Sequence, residues 1–367
     1  MEIRATQESV DIYYSLPDLN QSAIKVILSS GIDEFLKQKE KLLSTEEDYT
    51  EKKGMIIGSA VDHYFSFGPE SFYEKYYFSQ IDKKPGDKPM IVIKSVIAAA
   101  KQRADYNPEM TELDPKDYLA EFQKAADEAE YYMNRKKPDP NEDPRWGYAL
   151  KGEGKTYWED LAKAGARQIL ADDENYGANG VIESIRDHRN TRWILEDNDK
   201  VILIYQYVCL FTFNEVPCKA MLDLIRIDLS SKTIVPFDFK VGFRPVAKFP
   251  DTMRMLRYDL QASFYMAALQ SCIEHLSNLV GIDLRQFSIR PLAFIYDCYE
   301  APGKPFIFPS TNILSRGAVG DGNFVLGWQQ GIRIYKSWAV KNFDVLEMFP
   351  KGIISVDQNF DYNIDLV

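Results

Sequence analysis

Cysteine is scarce in this chain of 367 residues: four, at 209, 218, 272 and 298, with no CxxC pair among them. That spacing excludes a zinc ribbon, and disulfide scaffolds belong to much shorter secreted chains. Reduced thiols in a cytoplasmic protein are the simplest reading. The N-terminal MEIRATQESV lacks a basic start followed by an apolar core, so it does not read as a signal peptide. The longest apolar run, Ile202 to Phe213, covers 12 residues and contains Gln206 and Thr212. It is too short to span a membrane as a helix. Positive charge is in deficit, with 44 Lys and Arg against 55 Asp and Glu, a net charge of −11. This argues against a protein that coats DNA through bulk charge, but still allows one local basic channel. Repeats and low-complexity tracts are missing.

What remains is ordinary globular material, 45% hydrophobic and 27% charged. It excludes a disordered, collagenous or coiled-coil chain and leaves enough apolar surface for a sizeable core. At roughly 150 residues per domain, the length fits one large or two intimate domains. Helical spacing is expected from Asn20, a good N-cap, to about Leu43, and over Met55–Phe67. In the second of these, Gly58, Ser59 and Ala60 leave a narrow face for a close neighbour. Residues 82–90 read as an exposed turn, 92–133 as helical, and 134–147, with three prolines, as a surface loop and an internal boundary. Helical pattern returns at 156–170 and 178–189.

The character then changes. Residues 192–196, 201–213, 216–228 and 233–240 are rich in β-branched and aromatic residues and read as strands. An amphipathic helix is expected at 255–279, a strand at 287–299 and a final helix at 323–342. The order from 201 to 299 is β, β, β, α, β.

Asp238 and Lys240 are two apart on one predicted strand, so they share a face, while Phe237 and Phe239 take the other. A hairpin centred between Ser230 and Ser231 sets Asp223 directly opposite Asp238, with Cβ atoms about 5 Å apart. Like charges so placed need compensation, and carboxylate oxygens suit Mg²⁺ or Mn²⁺. The register depends on an even-length loop. A divalent cation with a flanking ammonium suits phosphodiester hydrolysis. On the following helix Arg257, Gln261 and Tyr265 fall at i, i+4 and i+8, a polar stripe beside buried Leu260, Phe264 and Ala267. Between Lys240 and Arg257 stand five basic residues (Lys240, Arg244, Lys248, Arg254, Arg257) and one acid, Asp251. In so acidic a chain this run is the best candidate for a DNA-facing edge. Gly152-Glu153-Gly154-Lys155-Thr156 is close to the end of a phosphate-binding loop, but Ala149 stands where its first glycine belongs, and no nucleotide site is expected. Asp172-Asp173-Glu174 reads as a solvated acidic run.

Asp223, then Asp238-Phe239-Lys240, then Gln261 and Tyr265 resemble the PD-(D/E)XK nuclease superfamily, and more narrowly its RecB-type branch. The branch carries a histidine on an upstream helix, matched here by Gly58-Ser59-Ala60-Val61-Asp62-His63. With the Leu19-Asn20-Gln21-Ser22 helix start, the pattern looks most like the phage RecE-like exodeoxyribonuclease VIII group. The resemblance covers roughly residues 13–300; the proline of the superfamily name does not precede Asp223, and Asp238 fills the acidic position before Lys240.

The resemblance implies an α/β restriction-endonuclease-like core, a central mixed sheet flanked by helices, with a helical insertion. It divides the chain into 1–80, N-terminal helices of the core; 81–190, a helical insertion or arm; 191–300, the sheet and the Gln261–Tyr265 helix; and 301–367, a C-terminal helix and tail. It implies one or two Mg²⁺ or Mn²⁺ ions held by His63, Asp223, Asp238 and the Phe239 carbonyl. Lys240 would position the attacking water, and Gln261 and Tyr265 would order the site. Arg244, Lys248, Arg254, Arg257 and Gln261 would meet DNA. An iron–sulfur cluster is not expected, because the cysteines lack the branch's C-terminal grouping. The implied activity is a 5′→3′ exonuclease on duplex DNA ends, exposing single strands for phage or mobile-element recombination. A single-strand annealing protein is the implied partner, a homo-oligomer is allowed, and the setting is a cytoplasm, bacterial or phage-infected. An endonuclease on the same core, or a catalytically silent DNA-binding or assembly protein, are the alternatives.

Overall fold

The computed structural model describes residues 1–43, 52–102, 118–132, 143–322, 325–341 and 362–365. Ten strands lie among them: β1 (Glu2–Ala5), β2 (Tyr76–Phe78), β3 (Gln168–Leu170), β4 (Val201–Phe213), β5 (Val216–Asp228), β6 (Thr233–Gly242), β7 (Ser288–Ile289), β8 (Ala293–Cys298), β9 (Phe306–Pro309) and β10 (Tyr362–Asp365). The chain forms two compact units. The first comprises Met1–Asp48, Asp62–Phe67 and Gly180–Val367; the second comprises Tyr49–Val61 and Gly68–Asn179.

The first unit is built on a mixed sheet in the order β10-β1-β4-β5-β6-β8-β9, with β7 beside β6. β4, β5 and β6 form an antiparallel meander, and β1 joins β4 in parallel. β8 lies parallel to β6, so the chain must cross over between them. The crossover carries helices Phe249–Met255, Tyr258–Ser271 and Ile273–Val280. Leu260, Phe264 and Ala268 of the middle helix join Ile204, Leu222, Ile225, Ile234 and Phe294 of the sheet in one core. Ile24 and Ile27, from helix Gln21–Ser30, enter the same core. The sheet is covered on its other side as well: Leu224, Phe237 and Phe239 are buried, and Phe65 stacks on Phe239 with ring centroids 4.6 Å apart. Burial on both faces explains why β4 reads as a nearly continuous apolar run.

The second unit has its own core around Val92, Ile93, Val96, Phe122, Tyr157 and Trp158, and a short parallel pair, β2 and β3. Arg145, fully buried, is neutralised by Asp143 and Asp127 at 2.7 and 2.8 Å. No helix among the described residues is long and apolar enough to cross a membrane.

The strands expected at 201–213, 216–228 and 233–240 are present, the last extending to Gly242. Residues 192–196 are not a strand: Arg192–Leu195 form a helical turn, and Trp193 Nε1 donates to the Asn190 carbonyl. A strand needs a neighbour, and β1 offers one only from Leu203 onward. The helix expected from Asn20 to Leu43 is two, Gln21–Ser30 and Ile32–Leu43, broken at Gly31 with φ 86°. The expected helix 255–279 is divided at Arg257 and Cys272. The turn expected over residues 82–90 ends at Gly86, and a helix begins at Asp87. The helix expected at 156–170 stops at Ala164, beyond which Gly165 takes φ 66° and the chain enters β3. A Cβ added at Gly58 would meet nothing within 4 Å, so this glycine does not mark a close approach. Parts of the segments expected at 92–133 and 134–147 lie outside the described residues. Within the latter, Pro144–Ala149 form a helix capped by Asp143.

Candidate active site

The hairpin β5–β6 has the expected even register. Its pairs run from Asp228 opposite Thr233 to Leu224 opposite Phe237, and the ladder stops there. The same register would carry Asp223 opposite Asp238. Instead β6 continues on its other edge against β8, from Phe237 to Gly242. The backbone N–H of Phe239, released from the β5 ladder, donates to Asp223 Oδ2 at 2.9 Å. A gap between two paired strands, lined by carboxylates, is the feature from which the site is built.

Asp238 is 1% exposed. Gln261 Nε2, on helix Tyr258–Ser271, donates to its Oδ1 at 2.6 Å. Lys240 Nζ stands 2.5 Å from Oδ2, a close ion pair without the alignment of a hydrogen bond, and Oδ2 has no other partner. Burial raises the Asp238 carboxyl above its ordinary range, against the opposing pull of Lys240, Lys25 and Gln261. Burial alone would lower the Lys240 ammonium, but Asp238, Tyr258 and Asp223 outweigh it and hold the lysine above its ordinary value. Asp223 is raised well above its range by burial first, then by the charges of Asp238 and Asp62. Carboxylates held this close, at the end of a ladder and against a helix, are costly unless a cation joins them.

Asp62 was not anticipated from the sequence. It lies on helix Lys53–Lys75, and its Oδ1 accepts from Gln206 Nε2 at 3.0 Å and from Ser66 Oγ at 3.3 Å. Gln206 belongs to β4 and faces Asp223 in the β4–β5 register, where the ladder skips from Tyr205–Leu224 to Tyr207–Leu222. Its φ is 52°, the left-handed region that non-glycine residues seldom occupy. The alternation of core residues breaks at the same point. Ile202 and Ile204 precede it and Tyr207 and Cys209 follow it on one face, while β5 shifts from Leu222 to Ile225. The distortion aims an amide at Asp62, and Gln206 Oε1 is buried without a partner. Strained backbone of this kind concentrates at functional sites. The sequence held one signal for it: Gln206 interrupts the longest apolar run.

The structure brings together Asp223, Asp238, Lys240 and Gln261. Tyr265 is buried nearby; its hydroxyl is pushed up by burial, then by Tyr13, Asp238 and Asp223. His63 is also buried, with its ring against Phe67 at a centroid distance of 4.7 Å. The charge of Asp62, its neighbour on the same helix, acts on Asp223. Arg257 departs from the expected stripe. It takes φ 55° before the helix starts, and its guanidinium is committed to Asp259 at 3.0 Å and to the Leu326 carbonyl at 2.8 Å. Lys248 and Arg254 are exposed and Arg244 half-buried, on the segment that leads from β6 to helix Tyr258–Ser271. Arg254 is 3.7 Å from Asp251.

As donors for a cation, Asp223, Asp238, Asp62 and the unpartnered Gln206 oxygen are all hard oxygens, the right kind for Mg²⁺ or Mn²⁺. They do not form a closed cage: among the described residues no group of three or more His, Cys, Asp or Glu is gathered as a metal site. What the structure shows is carboxylates held in pairings, Asp238 with Lys240 and Asp223 with a backbone N–H. Gly152 to Thr156 open helix Glu153–Ala164 rather than a phosphate loop. All four cysteines are free and buried.

No family model matches this chain, and no curated protein matches it. A solved structure described as a "putative exonuclease" from Eubacterium rectale aligns over 91% of this chain and 87% of its own, with 12% identity and a TM-score of 0.39.

Proposed function

We propose that this chain is a divalent-metal-dependent deoxyribonuclease with a PD-(D/E)XK core, acting as an exonuclease on duplex DNA ends. One observation carries the reading: Asp238, buried at the end of the β5–β6 ladder, is held at once by Lys240 and by Gln261. A structural salt bridge does not call for a third polar group delivered from a helix, nor for a second carboxylate, Asp223, raised by burial first and then by the charge of Asp238.

In this reading Asp223 and Asp238 hold Mg²⁺ or Mn²⁺, with Asp62, His63 and the Phe239 carbonyl as further candidates for one or two ions. Such an ion supplies positive charge where a phosphodiester is cleaved and lowers the pKa of water. Lys240 orients the nucleophilic water and offsets charge developing on the phosphate. Gln261 fixes the Asp238 carboxylate through Oδ1, and Tyr265 packs behind it. Arg244, Lys248 and Arg254 attract the strand, while Arg257 acts through Asp259 and holds the start of the helix. The resemblance to the RecE-like group supports 5′→3′ polarity, single-strand production for recombination and an annealing protein as partner.

A specific observation favours a second reading. Lys240 pairs with Asp238 at 2.5 Å, an ion pair that a silent DNA-binding or assembly protein would also keep. Linear duplex DNA labelled differently at its 5′ and 3′ ends, and closed-circular duplex DNA, each incubated with Mg²⁺, separate these. Loss of the linear form alone, abolished by EDTA and by Asp238→Ala, is expected, with 5′ label released first. Cutting of the circle makes it an endonuclease. No change in either substrate with Mg²⁺ or Mn²⁺ overturns the catalytic reading.

A further inference from the structure

Lys25 lies on helix Gln21–Ser30, whose start is fixed by Asn20 accepting from Ala23 N at 2.8 Å. Ile24 and Ile27 anchor that helix in the core, so Lys25 is carried at a set position. Its side chain is half-buried, and Nζ lies 5.5 Å from the centre of the Tyr258 ring. Lys240 Nζ lies 5.1 Å from the centre of the same ring. Two ammonium groups therefore flank one tyrosine at the edge of the candidate site.

Their neighbours treat them differently. Lys240 has Asp238 at 2.5 Å. Arg257, also close enough to act on Lys25, has Asp259 at 3.0 Å. Asp238 Oδ1 is occupied by Gln261. Among the described residues no carboxylate stands within 4 Å of Lys25. The charges that act on it are Lys240, Asp238, Arg257 and Asp259. Lys240 and Arg257 crowd it with like charge, while Asp238 and Asp259 are each already paired with another cation. The ammonium is held there at a cost. Burial first, then Lys240, push it down to about 8, against the pull of Asp238 and Asp259. A half-buried cation beside a second cation is stabilised by an anion that reaches both.

We propose that Lys25 is a substrate-positioning residue that holds a non-bridging phosphate oxygen of a nucleic-acid strand beside Asp238 and Lys240. The inference rests on the nuclease reading and adds to it a contact from helix Gln21–Ser30. The anion it fits is a phosphodiester, which Lys25 meets as a point charge. Free inorganic phosphate shares that chemistry and is separated from the strand by the test.

The test uses the full chain in EDTA, so that nothing is cleaved, and a short blunt duplex carrying a fluorescent label. Anisotropy gives the binding constant across a series of salt concentrations. Each phosphate neutralised contributes about 0.9 to the slope of log K against log salt. Lys25→Met and Lys25→Gln should each reduce that slope by about 0.9 and weaken binding roughly 3- to 30-fold at moderate salt. Lys25→Arg should keep the slope. Thermal melts of all three report folding, and two neutral variants of different polarity guard against a packing effect. Slopes equal to wild type in both neutral variants overturn the proposal. If inorganic phosphate at constant ionic strength removes the Lys25-dependent difference while the remaining duplex affinity is unchanged, the residue holds a free anion, and the assignment to the strand falls. If the wild-type chain binds no duplex at any salt, either in EDTA or with Ca²⁺ as a non-cleaving ion, the nuclease reading itself fails. That result is distinct from wild-type binding that Lys25 does not influence.

Discussion

Replacing Lys240 by methionine in metal-free protein removes the charge beside Asp238 while keeping the volume of the stem. The pair stands at 2.5 Å, with side chains 19% and 1% exposed. At an effective dielectric of about 20, that separation corresponds to a gross attraction of about 7 kcal/mol. Desolvation of both groups consumes much of it, and breaking a buried pair costs about 3–5 kcal/mol. Gln261 still satisfies Oδ1, which sets the expectation near the lower end, about 3 kcal/mol. Urea unfolding at neutral pH in EDTA measures it. Asp238→Asn combined with Lys240→Met removes both charges and should recover most of the loss. Mn²⁺ should then rescue Lys240→Met more than wild type, because a bound cation at 100 times its Kd adds about 2.7 kcal/mol and no ammonium competes for Oδ2. A Lys240→Met variant within about 1 kcal/mol of wild type, or a double variant no more stable than the single, would refute the reasoning from buried charge.

Four further outcomes follow from the same geometry. Asp62→Asn should lower Mn²⁺ affinity about 10- to 100-fold by titration calorimetry; a loss in His63→Ala with none in Asp62→Asn would return the ligand role to His63. Gln261→Leu deletes a hydrogen bond to a charged group, about 1.5–3 kcal/mol, and kcat on linear duplex should fall about 10- to 100-fold with KM little changed. Lys219 donates to the Tyr13 and Leu16 carbonyls at 2.7 Å each, and burial pushes its ammonium down to about 8. The unfolded chain then binds more protons than the folded one between about pH 8 and 10.4, so this residue makes stability rise with pH there, by up to about 1.4 kcal/mol per pH unit; a Lys219→Met variant should lack that rise in urea midpoints. Lys248→Ala and Arg254→Ala should weaken duplex binding without altering Mn²⁺ affinity, measured by anisotropy and calorimetry.

Much of the central sheet was legible because β4, β5 and β6 are long, apolar and joined by short turns. The β5–β6 register followed once an even loop was assumed, as the four residues between Asp228 and Thr233 bear out, and side-chain alternation placed Asp238 with Lys240. Helical spacing gave only a polar stripe through Gln261 and Tyr265; that Gln261 reaches Asp238 is a tertiary contact. Short elements were not legible. β1, β2, β3, β9 and β10 have three or four residues each, too few for a period, and exist through partners remote in sequence. The break at Arg257 is equally tertiary: its left-handed turn is held by Asp259 and by the Leu326 carbonyl, 69 residues away.

The candidate site divides along the same line. Local chain sequence brought Asp223, Asp238 and Lys240 together, since they sit on one hairpin whose geometry follows from hydrogen-bond register. Only the tertiary structure decided what faces them. Helix Lys53–Lys75 brings the charge of Asp62 to bear on Asp223 and sets the neighbouring His63 ring against Phe67, a placement that no spacing rule makes. Gln206 takes a left-handed backbone that its own sequence disfavours, because Asp62 and Ser66 accept its amide. Lys25, more than 200 residues from Lys240 along the chain, shares a tyrosine ring with it because packing on one core brings two separately encoded helices together. Local hydrogen bonding is written in neighbouring residues; the field at a site is the sum over everything the fold gathers there.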